Sequence, residues 1–205
     1  TTDADISRAW APLDPKRSRI KYFAANGRCA ERLKLYGVPA ENIFLTGFPL
    51  PKESIGGHNP KIAKELLMER ICHLDPKGIF VDRYHKTLQA ELGRSNCKIK
   101  DTKRPLTVTY SVGGAGAQKR LGIEMVKSLK GEIKQGKVRV ILLGGVKKQV
   151  VRYFEESVIS AGLGKELGKM VLVPSFDSRD QYFAEFNKYL AETDILWTKP
   201  SELSF

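Results

Sequence analysis

The chain has no long apolar run, few cysteines, few histidines and no tract that interleaves aromatic with basic residues, and each shortage removes a class of function. Its longest uninterrupted apolar stretches, such as Val140-Ile141-Leu142-Leu143 and Val171-Leu172-Val173, have the length of a strand. A helix needs roughly 20 apolar residues to cross a bilayer. The first residues carry no basic, then apolar, then small-residue leader, so secretion is not expected. Cys29, Cys72 and Cys97 have neither the even count of a disulfide framework nor the paired spacing of a metal knuckle. Reduced thiols in a cytoplasmic protein are the expectation. His58, His73 and His85 lack metal-ligand spacing and read as surface or partly buried side chains, and no metal site is expected. No Ser, His and Asp order and no Cys and His order marks a nucleophile, and no pair of carboxylates stands out from the scattered acids.

Basic charge is what the chain has in excess. It holds 35 Lys and Arg against 23 Asp and Glu, a net +12. Such a balance attracts phosphate groups without specificity. Single-strand binding would also need aromatic platforms among the cations, so no specific nucleic-acid partner is expected. Hydrophobic residues make up 41% of the chain, enough to build a core and too many for a disordered polymer.

Hydrophobic periodicity divides the chain into three parts. Residues 1–50 end in strand, helix, strand (20–25, 28–36 and 42–47), the helix being stopped by Gly37. Residues 51–104 open with Pro and Gly and continue as two helical stretches, one with Ile62, Leu66, Leu67 and Ile71, the other with Phe80, Tyr84, Leu88 and Leu92. Stripes at this spacing are expected to face a core, here as a helical linker or insert. Residues 105–205 alternate regularly: strands at 106–112, 138–143, 170–173 and 194–198 are separated by helices with apolar positions Ile123, Val126, Leu129 and Ile133, then Val150, Val151, Phe154, Val158 and Ile159, then Tyr182, Phe183, Phe186 and Leu190. Alternation of this kind predicts an α/β fold, a Rossmann-like parallel sheet covered by helices, with 1–50 as the end of a second Rossmann-like domain.

In such sheets ligands bind at the carboxyl ends of the strands. Here those ends carry Gly113-Gly114-Ala115-Gly116, Gly144-Gly145, Pro174-Ser175-Phe176 and Lys199-Pro200-Ser201. Glycines at these places let a phosphate approach backbone N–H groups, or merely make a tight turn from strand to helix. Neither standard phosphate motif is satisfied. A dinucleotide fingerprint beginning at Gly114 and Gly116 meets Lys119 where its last Gly belongs, and a P-loop fails because Lys119 lies between Gln118 and Arg120. Hydride transfer and nucleoside triphosphate hydrolysis are disfavoured.

Taken in order, Gly37-Val38-Pro39, the string Asn42 through Phe48-Pro49, Glu91-Leu92-Gly93, the glycine loop 113–116, Val173-Pro174-Ser175-Phe176 and the string Ala191-Glu192-Thr193-Asp194 through Lys199-Pro200-Ser201 resemble the two-domain GT-B glycosyltransferases. The similarity is to the branch that contains the lipid-linked N-acetylglucosaminyltransferase of peptidoglycan synthesis and the monogalactosyldiacylglycerol synthases, and it spans 20–50 and 87–205. The resemblance implies transfer of a sugar from a nucleotide-diphosphate donor, UDP-linked, to an acceptor such as a lipid. It implies no cofactor beyond that donor. Gly113, Gly114, Gly116, Gly144 and Gly145 would then face the diphosphate or the cleft, Ser175 and Phe176 would lie beside the base, and Lys199, Pro200, Ser201 and Ser204 would begin the ribose and phosphate loop. A nucleotide sugar is the implied partner, with an anionic membrane surface as the second. A sugar-nucleotide 2-epimerase of the same fold, or a non-catalytic basic phosphate-binding module, are the alternatives. The family has Gly where Ser201 stands, and its ribose-binding Glu would fall after Phe205, so Glu202 is not that residue. The catalytic base is unassigned. The chain is therefore expected to be a piece of a longer enzyme, inactive by itself.

Overall fold

The computed structural model describes residues 6–48, 60–98, 104–112, 116 and 118–198, the side chain of Phe183 excepted. They fall into two compact units divided near residue 52.

The first unit is a single parallel β-α-β motif. Strand β1 (Tyr22–Ala24) pairs with β2 (Ile43–Leu45), Tyr22 opposite Ile43, and helix α1 (Gly27–Leu35) connects them. Asn26 caps the helix by accepting the Cys29 N–H at 2.9 Å, the stabilising role Asn is suited to at that position. Tyr22, Ala24, Cys29, Leu33 and Val38 bury their side chains together.

The second unit opens with three helices, α2 (Lys61–Leu74), α3 (Ile79–Arg83) and α4 (His85–Leu92). A four-stranded parallel sheet follows: β3 (Leu106–Ser111), β4 (Val138–Leu143), β5 (Val171–Leu172) and β6 (Ile195–Thr198), in the spatial order β5-β4-β3-β6. Between the strands run α5 (Lys119–Ser128) and α6 (Lys130–Lys134), then α7 (Lys148–Val158), then α8 (Arg179–Glu192). The chain is thus α/β with parallel strands in both sheets, a Rossmann-like arrangement. One face of the large sheet is apolar: Val108, Tyr110, Val140, Leu142 and Val171 pack with Ile123, Val126, Ile133, Val150, Phe154 and Val158 from α5 to α7. Helix α5 lies so close that a Cβ on Gly122 would stand 2.7 Å from Tyr110 Cδ1, which only glycine permits.

The other face of β3 is polar although buried. Thr107, Thr109 and Ser111 are almost wholly inaccessible. Unpartnered hydroxyls there would be costly, and each has an answer: Thr107 Oγ1 bonds Pro105 O at 3.2 Å, Thr109 Oγ1 meets Thr193 Oγ1 at 2.6 Å, and Ser111 bonds Tyr182. At the amino end of the same strands, the side chain of Asp194 is shut off from solvent. Arg104 clamps it with two bonds of 2.6 Å, the Thr107 N–H donates to it at 2.8 Å, and His73 Nδ1 stands 3.0 Å from Oδ2 as a charge contact outside hydrogen-bond alignment. Burial works to raise the Asp194 carboxyl, but Arg104, the Thr107 N–H and His73 outweigh it and hold the group below the usual carboxylate range. Arg70, on α2 like His73, donates to the carbonyls of Leu190 and Thr193 at 2.6 Å each, closing the end of α8. Helix α2 is thereby fastened to the sheet.

Two expectations are corrected in the helical segment. Cys72 and Cys97 are joined by a disulfide, with Cα atoms 5.5 Å apart, whereas reduced thiols were expected. An odd count of cysteines does not reveal which two meet, and here α2 and the stretch after α4 fold back on each other. Cys29 lies buried in α1 and takes no part in that bond. The expected apolar stripes hold at Leu88, Ile71 and Leu92 and are displaced elsewhere. The buried set is Met68, Cys72, Val81 and Leu88, while Ile62, Leu67, Phe80 and Tyr84 are exposed. The chain breaks helix at Tyr84, so one continuous stripe becomes two short helices.

So small a core needs a covalent tie. Replacing Cys97→Ser is expected to cost about 3 kcal/mol, read by chemical unfolding, and thiol titration of the unfolded wild type should find one reactive thiol per chain. Three thiols would contradict the pairing. The depressed Asp194 carboxyl has a second consequence, because its stabilisation is complete above the unfolded value of about 4 and is lost as pH falls through the lower folded value. Asp194→Asn should cost about 3 kcal/mol at neutral pH, since Arg104 is left without its counter-charge. The gap in thermal stability between the two proteins should close on acidification. A gap independent of pH would show that the carboxylate is not the stabilising form.

Candidate functional site

Chain order reverses between β3 and β6, since β4 and β5 continue to one side of β3 and β6 pairs on the other. Open α/β sheets hold ligands in the crevice beyond the carboxyl ends at such a reversal. Several expected residues converge there. Gly116 has φ +73°, and a Cβ at that position would lie 3.1 Å from Val150 Cγ2 and 3.8 Å from Lys147 Cδ. At Gly144 a Cβ would lie 3.1 Å from Val150 Cγ1. Gly116 and Gly144 thus both lie close to the same residue of α7, and both approaches depend on missing side chains. Gly145, with φ +63°, has open space around it. Gly113, Gly114, Lys199, Pro200, Ser201 and Ser204 lie outside the described residues.

The helices that leave these turns are unusual in charge. Neither α5 nor α7 has a side-chain cap or an acidic residue in its first turn. They begin instead with Lys119-Arg120 and Lys147-Lys148. Cations at a helix amino end oppose the dipole, while an anion there is favoured by the free N–H groups. Helix α8 is the contrast: Ser178 Oγ accepts the Gln181 N–H at 3.1 Å, Gln181 Oε1 accepts the Asp177 N–H at 2.8 Å, and Asp180 lies in the first turn. The α8 terminus satisfies itself, whereas among the described residues those of α5 and α7 have no side-chain cap.

Side chains link the strand ends to one another. Lys148 Nζ donates to Ser175 Oγ at 3.1 Å and to Asp177 Oδ1 at 2.6 Å. Its hydrogen bond and charge hold the Asp177 carboxyl below the usual range. Thr198 Oγ1 donates to Ser111 O at 3.4 Å across the reversal itself. Tyr182 bonds the Ser111 hydroxyl, and burial raises its phenol while that bond opposes the rise. Lys119 Nζ lies 4.4 Å from the centre of the Tyr153 ring. Gln118, in the left-handed region at φ 64°, accepts the Tyr110 hydroxyl at 2.7 Å, which anchors the start of α5.

Phe176 departs from its expected place beside a base. Its side chain is 1% exposed and packs edge-on against Tyr182 and Tyr189, with ring centres 5.2 and 6.3 Å away. The ring serves the core under α8, and a phenylalanine at a strand end reads the same in sequence whichever way it points. Lys119, Lys147, Lys148 and Asp177 were not anticipated. The available signal was a lysine pair one residue after the turn Gly144-Gly145, where a helix usually starts with an acid. A cavity of about 270 Å³ opens elsewhere, in the helical segment between Lys61, Lys64, Glu65, Glu69 and Arg94, and no strand end lines it. Mixed charges around it mark no ligand chemistry, and the carboxyl edge of the sheet remains the candidate site. No protein-family model matches the chain, and no curated protein matches it.

Proposed function

We propose that this chain carries the donor-binding part of a GT-B glycosyltransferase that uses a UDP-sugar. One observation carries the reading: at the carboxyl edge, Gly116 and Gly144 both lie against Val150, and the helices that follow them begin with lysine and have no side-chain cap. A nucleotide diphosphate has the charge that this edge lacks. Its oxygens would accept backbone N–H groups near Gly116, Gly144 and Gly145, where no side chain stands in the way. Lys119, Lys147 and Lys148 would supply compensating charge. Transfer makes the departing diphosphate more negative, and donors fixed in advance stabilise that charge as it develops. The acceptor hydroxyl needs a base that no described residue has been assigned. The ordered motifs shared with the family support the same reading and name the sugar-nucleotide class.

A test compares UDP, a panel of UDP-sugars and uridine by calorimetry. The nucleotides with a diphosphate are expected to bind weakly, with Kd on the order of 1 mM, and at least about tenfold more tightly than uridine. Lys148→Met should weaken UDP about fivefold with unchanged thermal stability. Equal affinity for uridine, or no binding of any diphosphate, would overturn the proposal.

A further inference from the structure

Helix α8 is fixed to β3 at both ends by hydroxyl groups. Beyond its last turn, Thr193 Oγ1 meets Thr109 Oγ1 at 2.6 Å and lies 2.6 Å from the Tyr189 carbonyl. Near its start, the Tyr182 phenol bonds the hydroxyl of Ser111, a residue 3% exposed. The Tyr182 ring packs edge-on against Phe176 and tilted against Phe186, with centres 5.2 and 5.3 Å away. Phenylalanine would make those ring contacts equally well, so what the hydroxyl adds is a direction. Arg70 and Thr193 already hold the far end of the helix. The Tyr182 bond is therefore not what keeps α8 on the sheet; it fixes where α8 begins.

That start matters because the strand ends it joins are not neighbours. Strand β4 lies between β3 and β5, which puts those two about 10 Å apart across the sheet. On one side, Ser111 ends β3 and its carbonyl accepts Thr198 Oγ1 of β6 at 3.4 Å. On the other, Gln181 precedes Tyr182 and its Oε1 accepts the Asp177 N–H at 2.8 Å, while Asp177 Oδ1 and Ser175 Oγ receive Lys148 Nζ. We propose, resting on the donor reading above, that Tyr182 is a positioning residue of that site: through Ser111 it sets Ser175 and Asp177 against the end of β3, and so aims Lys148 at the ligand that Gly116 and Gly144 admit. It does this without proton transfer. Burial raises the phenol above its ordinary range, so it stays protonated at neutral pH and the bond to Ser111 persists.

A mutant cycle read by calorimetry with UDP separates positioning from mere support. Tyr182→Phe with Ser111→Ala removes both hydroxyls of the bond together, so thermal stability should be retained. UDP affinity should nevertheless fall about fivefold. Adding Lys148→Met, which weakens the otherwise wild-type chain about fivefold, should then cost less than about twofold, because the lysine is no longer aimed. Tyr182→Phe alone leaves β3 untouched and should show the same loss of coupling. Unchanged UDP affinity in both Tyr182 variants would overturn the role of Tyr182 and leave the donor reading standing, whereas a wild type that binds no UDP fails both. Losses from the Tyr182 and Lys148 substitutions that simply add would show a bond that supports the fold and aims nothing, and would overturn the role of Tyr182 as well.

Discussion

The second unit depends on one buried carboxylate. Asp194 precedes β6 and its side chain is inaccessible to solvent, so its charge must be answered by protein groups. Arg104, just before β3, answers it with a two-pronged bond, and the Thr107 N–H fixes the register of β3 against β6. His73 and Arg70 bring α2 to the same place, and Arg139 extends the cluster through Glu192 at 2.6 Å. Strands, the end of α8 and the helical segment therefore meet at the amino edge of the sheet. Because that edge is fixed, the carboxyl edge can be built from glycine turns that contribute little stability of their own.

The two edges divide the work. Charges at the amino edge are paired around the inaccessible Asp194 side chain, whereas at the carboxyl edge the helix starts of α5 and α7 carry lysines without acids or side-chain caps. Lys119 lies over the Tyr153 ring, and Lys148 is engaged only with Ser175 and Asp177 among the described residues, exposed groups whose bond is worth little in water. An incoming anion exchanges a weak surface pair for contacts with fixed N–H donors. The proposed donor site rests on that contrast within one sheet.

Much of the fold was legible because its period was clean. Val138–Leu143 was expected to the residue, and Ile123, Val126, Ile133, Val150, Phe154 and Val158 are in the core as their spacing predicts, whereas Ile159 on the same stripe is exposed. What escaped depended on tertiary partners. The partners that answer the buried hydroxyls of Thr107 and Thr109, the Pro105 carbonyl and Thr193, follow from no spacing rule. Phe80 and Tyr84 follow a helical period that the break at Tyr84 cancels, leaving outside what the pattern placed inside. The Cys72–Cys97 bond needed two distant stretches in contact, which no spacing rule supplies. At the candidate site the glycines were visible, while the inward turn of Phe176 and the role of Lys148 required the packing of α8 and α7.

The central claim is that the carboxyl edge of the large sheet receives a nucleotide diphosphate. Titrating the isotope-labelled chain with UDP and following its backbone amide signals tests it most directly. The account predicts that the largest shifts fall on Gly116, Gly144, Gly145 and Ser175, with Thr107, Asp194 and the amino edge unmoved. Shifts concentrated at the amino edge, or around Lys61 and Arg94 in the helical segment, would contradict it.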